Sequence, residues 1–234
     1  MQLIAHRGAS GLAPENTLAA FRLALELGAS AMEFDVHQTA DKELVIIHDE
    51  DLKRVGGRGE RIRDMTWPEL CRFDVGSWFD ARFCAERVPR LEEVFDLALR
   101  KAELHVELKC GSRVYPGIEG RLVQLIRSRR ALPACVVSSF DHKALFALRA
   151  LEPRLRLGYL LGDTPLDQAF QEIEELKAES LNLSGKQASA VRISAAHRRG
   201  LKLLVYTVND APEARRFAKM RVDGVFSNFP ELLK

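Results

Sequence analysis

Short apolar, β-prone runs alternate with helical patterns from one end of the chain to the other. That alternation constrains the fold more than any other feature, because it is the signature of a parallel sheet joined by crossover helices. The runs occupy 3–6, 31–37, 44–48, 104–109, 136–140, 157–161, 180–183, 203–208 and 224–227. Helical signals lie between them. Asn16 is placed to cap a helix running through Leu27, with Leu18, Phe21 and Leu25 on one face and Gly28 as terminator. Thr164 before Pro165, and Asp210 with Glu213 three residues on, read as further helix starts, while Gly200 ends a helix closing in Arg198 and Arg199.

Only the second and third runs lie too close together for a crossover, since a parallel connection takes about a dozen residues or more. They must form a hairpin. With Asp41-Lys42 as a two-residue loop, Ala40 pairs with Glu43 and Asp35 falls opposite His48. Setting the returning arm aside leaves eight parallel strands. Eight strand and helix units in 234 residues match a (β/α)8 TIM barrel, which typically takes about 250; a doubly wound open sheet is the alternative. The chain, 1–234, is expected to be a single barrel domain. A small insertion at about 49–90, after the second strand and its hairpin, lies on the active-site end, with Thr66-Trp67-Pro68-Glu69 opening a helix inside it. Beyond the ninth run only the stub Glu231-Leu232-Leu233 has helical character.

The charge balance excludes several function classes. Lys and Arg number 35 against 33 Asp and Glu, a formal +2, which is no platform for nucleic acid. No run approaches the roughly 20 apolar residues of a membrane span, and the N-terminus lacks a signal-peptide pattern, so a cytoplasmic protein without a membrane anchor is expected, as a monomer or homodimer. Cys71, Cys84, Cys110 and Cys135 show no C-x-x-C spacing and read as structural thiols of a reducing compartment. Gly56-Gly57-Arg58-Gly59 lacks the strand-loop-helix setting of a phosphate-binding glycine loop.

In a barrel, side chains at the C-terminal strand ends project into the catalytic mouth, so polar residues that break the apolar pattern there carry information. Such residues are His6-Arg7-Gly8, Glu33-Phe34-Asp35, His48-Asp49 and Glu107-Leu108-Lys109. Alternation puts Glu33 and Asp35 on the inner face, with Met32, Phe34 and Val36 on the helix side, and makes Glu107 and Lys109 share a direction on the next strand. Three acids so close would repel strongly, and a bound cation or several protonations must relieve them. An all-oxygen set suits a hard divalent ion, Mg²⁺ or Ca²⁺ with Mn²⁺ compatible. His6 and His48 supply a pair of groups for acid and base work, and Arg7 and Lys109 supply fixed positive charge to grip a phosphate. The parts together describe metal-assisted cleavage of a phosphate ester. His105, His142 and His197 read as structural; so does His37, although its place on the hairpin arm above Asp35 brings it within reach of a substrate.

An ordered set of motifs runs through nearly the whole chain: Ala5-His6-Arg7-Gly8, Ala13-Pro14-Glu15-Asn16-Thr17, Glu33-Phe34-Asp35-Val36, Ile47-His48-Asp49, Gly76-Ser77-Trp78-Phe79, Val106-Glu107-Leu108-Lys109, Ser138-Ser139-Phe140 and Val205-Tyr206-Thr207-Val208-Asn209. In these the sequence resembles the glycerophosphodiester phosphodiesterases, in particular the short cytosolic bacterial type. The resemblance implies a (β/α)8 fold with a small insertion and hydrolysis of diesters such as glycerophosphocholine to glycerol 3-phosphate and an alcohol. It implies that Glu33, Asp35 and Glu107 bind the divalent cation, that His6 and His48 are the acid and base, that Arg7 and Lys109 contact the phosphate, and that Phe140 and Tyr206 line the glycerol pocket. The implied route is attack by the neighbouring glycerol hydroxyl, then opening of a cyclic phosphate by water. Departures from the pattern are Lys42 where the hairpin usually has Gly, Arg90 where Thr is frequent, Tyr206 where many members have Trp, and Asn228 where Asp is common. Three alternatives use the same residues less completely: an enolase-type barrel with Lys109 as base, which leaves both histidines idle, a lipid-directed phosphodiesterase of the phospholipase C or D type, and a non-catalytic barrel that binds a phosphorylated metabolite.

Overall fold

The structure, a computed structural model, describes residues 1–232. Nine strands occur among the described residues: β1 (Gln2–His6), β2 (Ala31–Gln38), β3 (Leu44–Ile46), β4 (Glu103–Leu108), β5 (Cys135–Ser139), β6 (Arg156–Leu160), β7 (Ser180–Ser184), β8 (Lys202–Tyr206) and β9 (Gly224–Ser227). Each corresponds to one expected run. Eight are parallel, in the order β1-β9-β8-β7-β6-β5-β4-β2, and the pairing of β1 with β2 through Ala5↔Met32 and His6↔Glu33 closes the barrel. β3 alone runs antiparallel, against the stretch of β2 that extends past the barrel rim.

Among the described residues seven crossover helices surround the sheet: α1 (Leu18–Glu26) and, after two short helices α2 (Lys53–Gly56) and α3 (Trp67–Leu70), α4 (Leu91–Ala98), α5 (Ile118–Ser128), α6 (His142–Leu151), α7 (Leu166–Leu176), α8 (Ala190–His197) and α9 (Ala211–Lys219). Met32, Phe34 and Val36 of β2 face this layer and pack with Phe21, Leu91 and Phe95; the rings of Phe21 and Phe34 meet edge to face at 5.7 Å. The inner residues of β2 are therefore the polar ones. At the opposite end the barrel is closed by charge: Arg156 donates to Glu103 and Glu179 at 2.7 Å each, and the His105 ring lies 3.0 Å from Glu103. None of the helices among the described residues is long and apolar enough to cross a membrane.

Three local expectations are corrected. The hairpin register is one residue different: Val36 pairs with Ile46, and Ile47 N donates to Asp35 O at 3.0 Å, so Ile47 and not His48 lies opposite Asp35. The loop is the three-residue Ala40-Asp41-Lys42, closed by Lys42 N to Thr39 O at 3.1 Å and Thr39 N to Glu43 O at 3.0 Å, with Lys42 in the left-handed region at φ 75°. That is a type I turn followed by a left-handed residue, and the Asp41 carboxylate secures it by accepting from Thr39 Oγ1 and Trp67 N. Thr17, not Asn16, caps α1, accepting from Ala20 N at 3.2 Å. Thr164 caps nothing, because α7 starts after Pro165 without a side-chain cap. Asp210 does cap α9, accepting from Glu213 N at 2.8 Å.

The 49–90 segment packs on the hairpin. Its Leu52, Val55, Ile62, Met65, Leu70, Val75 and Val88 join Val45 and Ile47 in an apolar cluster separate from the main core. The Glu69 carboxylate accepts from Thr66 N at 2.8 Å, as the capping motif implies. Of the C-terminal stub, Glu231 and Leu232 lie in a turn, and Leu233 falls outside the described residues.

An exposed lysine held at positive φ is strained relative to glycine. Lys42→Gly is expected to stabilise the fold by about 1 kcal/mol, read as a higher urea midpoint with an unchanged m value; an equal or lower midpoint would contradict the strained-turn account.

Candidate active site

β1 delivers His6 to the barrel mouth and then turns sharply. Arg7 sits at φ 55° and Gly8 at φ 80°, and a Cβ on Gly8 would come within 2.8 Å of Ala20, so the loop is pressed onto α1. The turn aims Arg7 N at Glu33 Oε2, 3.0 Å away. The Arg7 guanidinium donates to Glu15 Oε1 at 2.9 Å, and its Nε lies 3.3 Å from Asp35 Oδ2.

Glu33, Asp35 and Glu107 converge as the strand alternation predicts: one carboxylate oxygen from each lies within 4.8 Å of the others. Glu33 and Asp35 are buried. Burial pushes the Glu33 carboxyl well above the usual carboxylate range, and the neighbouring charges of Asp35 and Glu107 push the same way. Glu107 is raised for the same two kinds of reason, burial and then Asp35. Burial also opposes ionisation of Asp35, but Lys109 and Arg7 outweigh it and hold that group well below its ordinary value. Lys109 Nζ lies 2.7 Å from Glu107 Oε1 and 3.2 Å from Asp35 Oδ1, and Asn16 Nδ2 donates to Asp35 Oδ2 at 2.8 Å. Glu33 Oε1 is buried without a hydrogen-bond partner. An orphaned carboxylate oxygen beside two further acids, with oxygen donors only, fits a hard divalent cation, and these three side chains could hold it.

The two histidines are each fixed through Nδ1. His6 Nδ1 lies 2.7 Å from Asn228 Oδ1 and its Nε2 is 4.0 Å from Glu33 Oε2. Burial, then the Arg7 charge, lowers its pKa to about 4. His48 stands just beyond the end of β3, and the one-residue change of register still leaves its ring at the cavity. Its Nδ1 is 2.7 Å from Asp49 Oδ1; Asp49 Oδ2 accepts from Arg54 Nε at 2.6 Å, and Arg54 donates both terminal nitrogens to Glu15, at 2.7 and 2.8 Å. Glu15 in turn meets Arg7, so a continuous chain of charge-assisted bonds links His48 to the loop after β1.

A cavity of about 260 Å³ opens over these groups. His6, Arg7, Glu33, His48, Glu107 and Lys109 line it from the β1, β2 and β4 part of the barrel, and Ser138, Phe140, Leu160, Tyr206, Thr207 and Phe226 line it from the remainder. Asp35 lies beneath this surface, 1% exposed. The expected residues are thus all brought together, with Phe140 and Tyr206 edge to face at 6.2 Å. His37 is not among them. It is buried, accepts from Tyr115 OH at 2.6 Å, and donates from Nε2 to the His48 carbonyl at 3.1 Å, so it supports the backbone of His48 and does not reach the cavity. Sequence reasoning passed over Arg54, and it gave Glu15, Asp49 and Asn228 no task. The first three meet only because the 49–90 segment packs on the hairpin and brings Arg54 to Asp49 and to Glu15 in the loop after β1. Glu15 had a signal in its motif, whereas Arg54 had none.

The model of the Glycerophosphoryl diester phosphodiesterase family matches residues 6–232. A glycerophosphodiester phosphodiesterase of Caldanaerobacter subterraneus subsp. tengcongensis is 36% identical over 99% of this chain and 95% of its own. Among solved structures, an Oleispira antarctica phosphodiesterase in complex with the product sn-glycerol-3-phosphate superposes with a TM-score of 0.93 at 31% identity, covering 99% of this chain and 94% of that one. A glycerophosphodiester phosphodiesterase from Agrobacterium tumefaciens gives 0.86 at 29%, covering 99% and 98%. With its (β/α)8 barrel and its convergent acids and histidines, the chain belongs to the glycerophosphoryl diester phosphodiesterase family, enzymes of the phosphoric diester hydrolase class.

Proposed function

We propose that this protein hydrolyses small glycerophosphodiesters to sn-glycerol 3-phosphate and an alcohol, in a reaction that depends on a divalent cation, Mg²⁺ or Ca²⁺ with Mn²⁺ compatible. The observation that carries this reading is the convergence of Glu33, Asp35 and Glu107 within 4.8 Å beside two imidazoles and two fixed cations. The relative crystallised with sn-glycerol-3-phosphate supports the product. Free cysteines throughout, including exposed Cys84, suit action in the cytoplasm, where the whole chain would work as one domain, monomeric or as a homodimer.

Glu33, Asp35 and Glu107 would hold the cation, which when bound supplies charge stabilisation to the phosphoryl oxygens. Arg7 and Lys109 flank the same acids and orient the phosphodiester by contact with its non-bridging oxygens. Phe140 and Tyr206 give the glycerol carbons an apolar wall, leaving the hydroxyl next to the scissile phosphate free to attack. One imidazole takes the proton of that hydroxyl as its oxygen bonds to phosphorus, and the other protonates the alcohol oxygen as its bond to phosphorus breaks. Water then adds to the resulting cyclic phosphate with the two proton transfers reversed. An internal nucleophile arrives already positioned, which removes much of the entropic barrier.

Three outcomes test this. Glycerol 3-phosphate release from glycerophosphocholine should vanish with EDTA and return with Mg²⁺ or Ca²⁺; no product from several diesters with either ion would favour a lipid substrate or a binding role. His6→Ala and His48→Ala should each lower kcat about 100-fold or more with the circular dichroism spectrum unchanged, and comparable turnover in both would sink the proton-transfer roles. Glu33→Gln, Asp35→Asn and Glu107→Gln should each move the metal titration to higher concentration; an unaltered titration in all three would reject the site.

A further inference from the structure

The ring of His6 lies between two neighbours of β1. On the β2 side stands Glu33, 4.0 Å from Nε2; on the β9 side stands Asn228, one residue past that strand, 2.7 Å from Nδ1. Asn228 is itself fixed from two further directions. Its backbone N–H donates to Asn209 Oδ1 at 2.9 Å, and its carbonyl accepts from Gly11 N at 2.9 Å. Gly11 is a necessary part of this clamp, since a Cβ there would fall 2.4 Å from the ring of Phe229, the residue that follows Asn228. The side-chain amide is therefore presented to the imidazole by a backbone tied to the loops after β1 and β8. Such a construction does more than fill space, because an amide oxygen has no proton to give and can only accept.

We propose that Asn228 is a positioning residue that locks the neutral His6 ring in the tautomer carrying its proton on Nδ1, so that Nε2 presents its lone pair to the cavity. The assignment rests on the reading of His6 as one of the two proton-transfer groups. It explains how a half-buried imidazole, with no carboxylate on Nδ1, keeps one nitrogen committed to reaction. His48 is held through the same nitrogen but by the Asp49 carboxylate, so the two rings are oriented alike by acceptors of different charge.

The test reads the tautomer directly. In ¹⁵N-labelled protein at neutral pH, two-bond proton–nitrogen correlation spectra of the ring, assigned by comparison with His6→Asn, should show a protonated Nδ1 and an unprotonated Nε2. Asn228→Ala should shift the ring toward the opposite tautomer and lower kcat about 10–100-fold with KM little changed, while Asn228→Asp, which still accepts from Nδ1, should keep the tautomer and recover most of the lost kcat. A proton on Nε2 in the unsubstituted protein would overturn the proposal, and that spectrum decides the matter even where Asn228→Ala fails to fold. An unchanged tautomer in Asn228→Ala, or equal losses in the Ala and Asp variants, would overturn it as well. Because the spectrum needs no turnover, an inactive unsubstituted protein would count against the hydrolytic reading alone.

Discussion

Three carboxylates crowded into one buried mouth set the terms for everything around them. Ionising all three there would be costly, since burial and mutual repulsion add. The chain answers with Arg7 and Lys109, which hold Asp35 charged, while Glu33 and Glu107 are pushed the other way. Two fixed cations do not match three ionised carboxylates. A hard divalent cation of the kind proposed above would relieve that imbalance and let Glu33 and Glu107 ionise.

The same constraint organises the loops. Arg7 must reach Asp35, so the chain after β1 takes two consecutive left-handed residues; Asn16 also turns its side chain to Asp35, which removes it from service as a helix cap. Glu15 then bridges Arg7 to Arg54, and Arg54 bridges to Asp49 and His48. Partly exposed ion pairs of this kind contribute little to stability, about 0–1 kcal/mol each. Their contribution is geometric: they fix a histidine carried by the hairpin relative to a histidine carried by β1.

Most of the barrel and its inward acids were legible because strand alternation is local and strict, so Glu33 with Asp35, and Glu107 with Lys109, could be assigned to the mouth from spacing alone. The hairpin register was less legible, since Lys42 adopts a backbone conformation that a lysine does not advertise, and a three-residue loop replaced the expected two-residue one. Asn16 and Thr17 are both good caps by type; the choice between them was made by Asp35, a partner nineteen residues away. His37 looked able to reach a substrate only until Tyr115 and the His48 carbonyl were known to occupy both its nitrogens. Arg54 and Asn228 owe their places to contacts across 39 and 222 residues of sequence, beyond any local pattern.

The 49–90 segment has its own small apolar cluster, which it shares with Val45 and Ile47 of the arm leading to His48 and not with the main core. Cooperative units of a protein open with their own free energies. A local opening of this cluster would carry His48 and its Asp49 and Arg54 partners away from a barrel that is otherwise intact. The place of His48 at the cavity is thereby tied to the integrity of a small cluster as well as to that of the barrel, so loosening one flap of sequence would disturb the mouth before it disturbed the sheet.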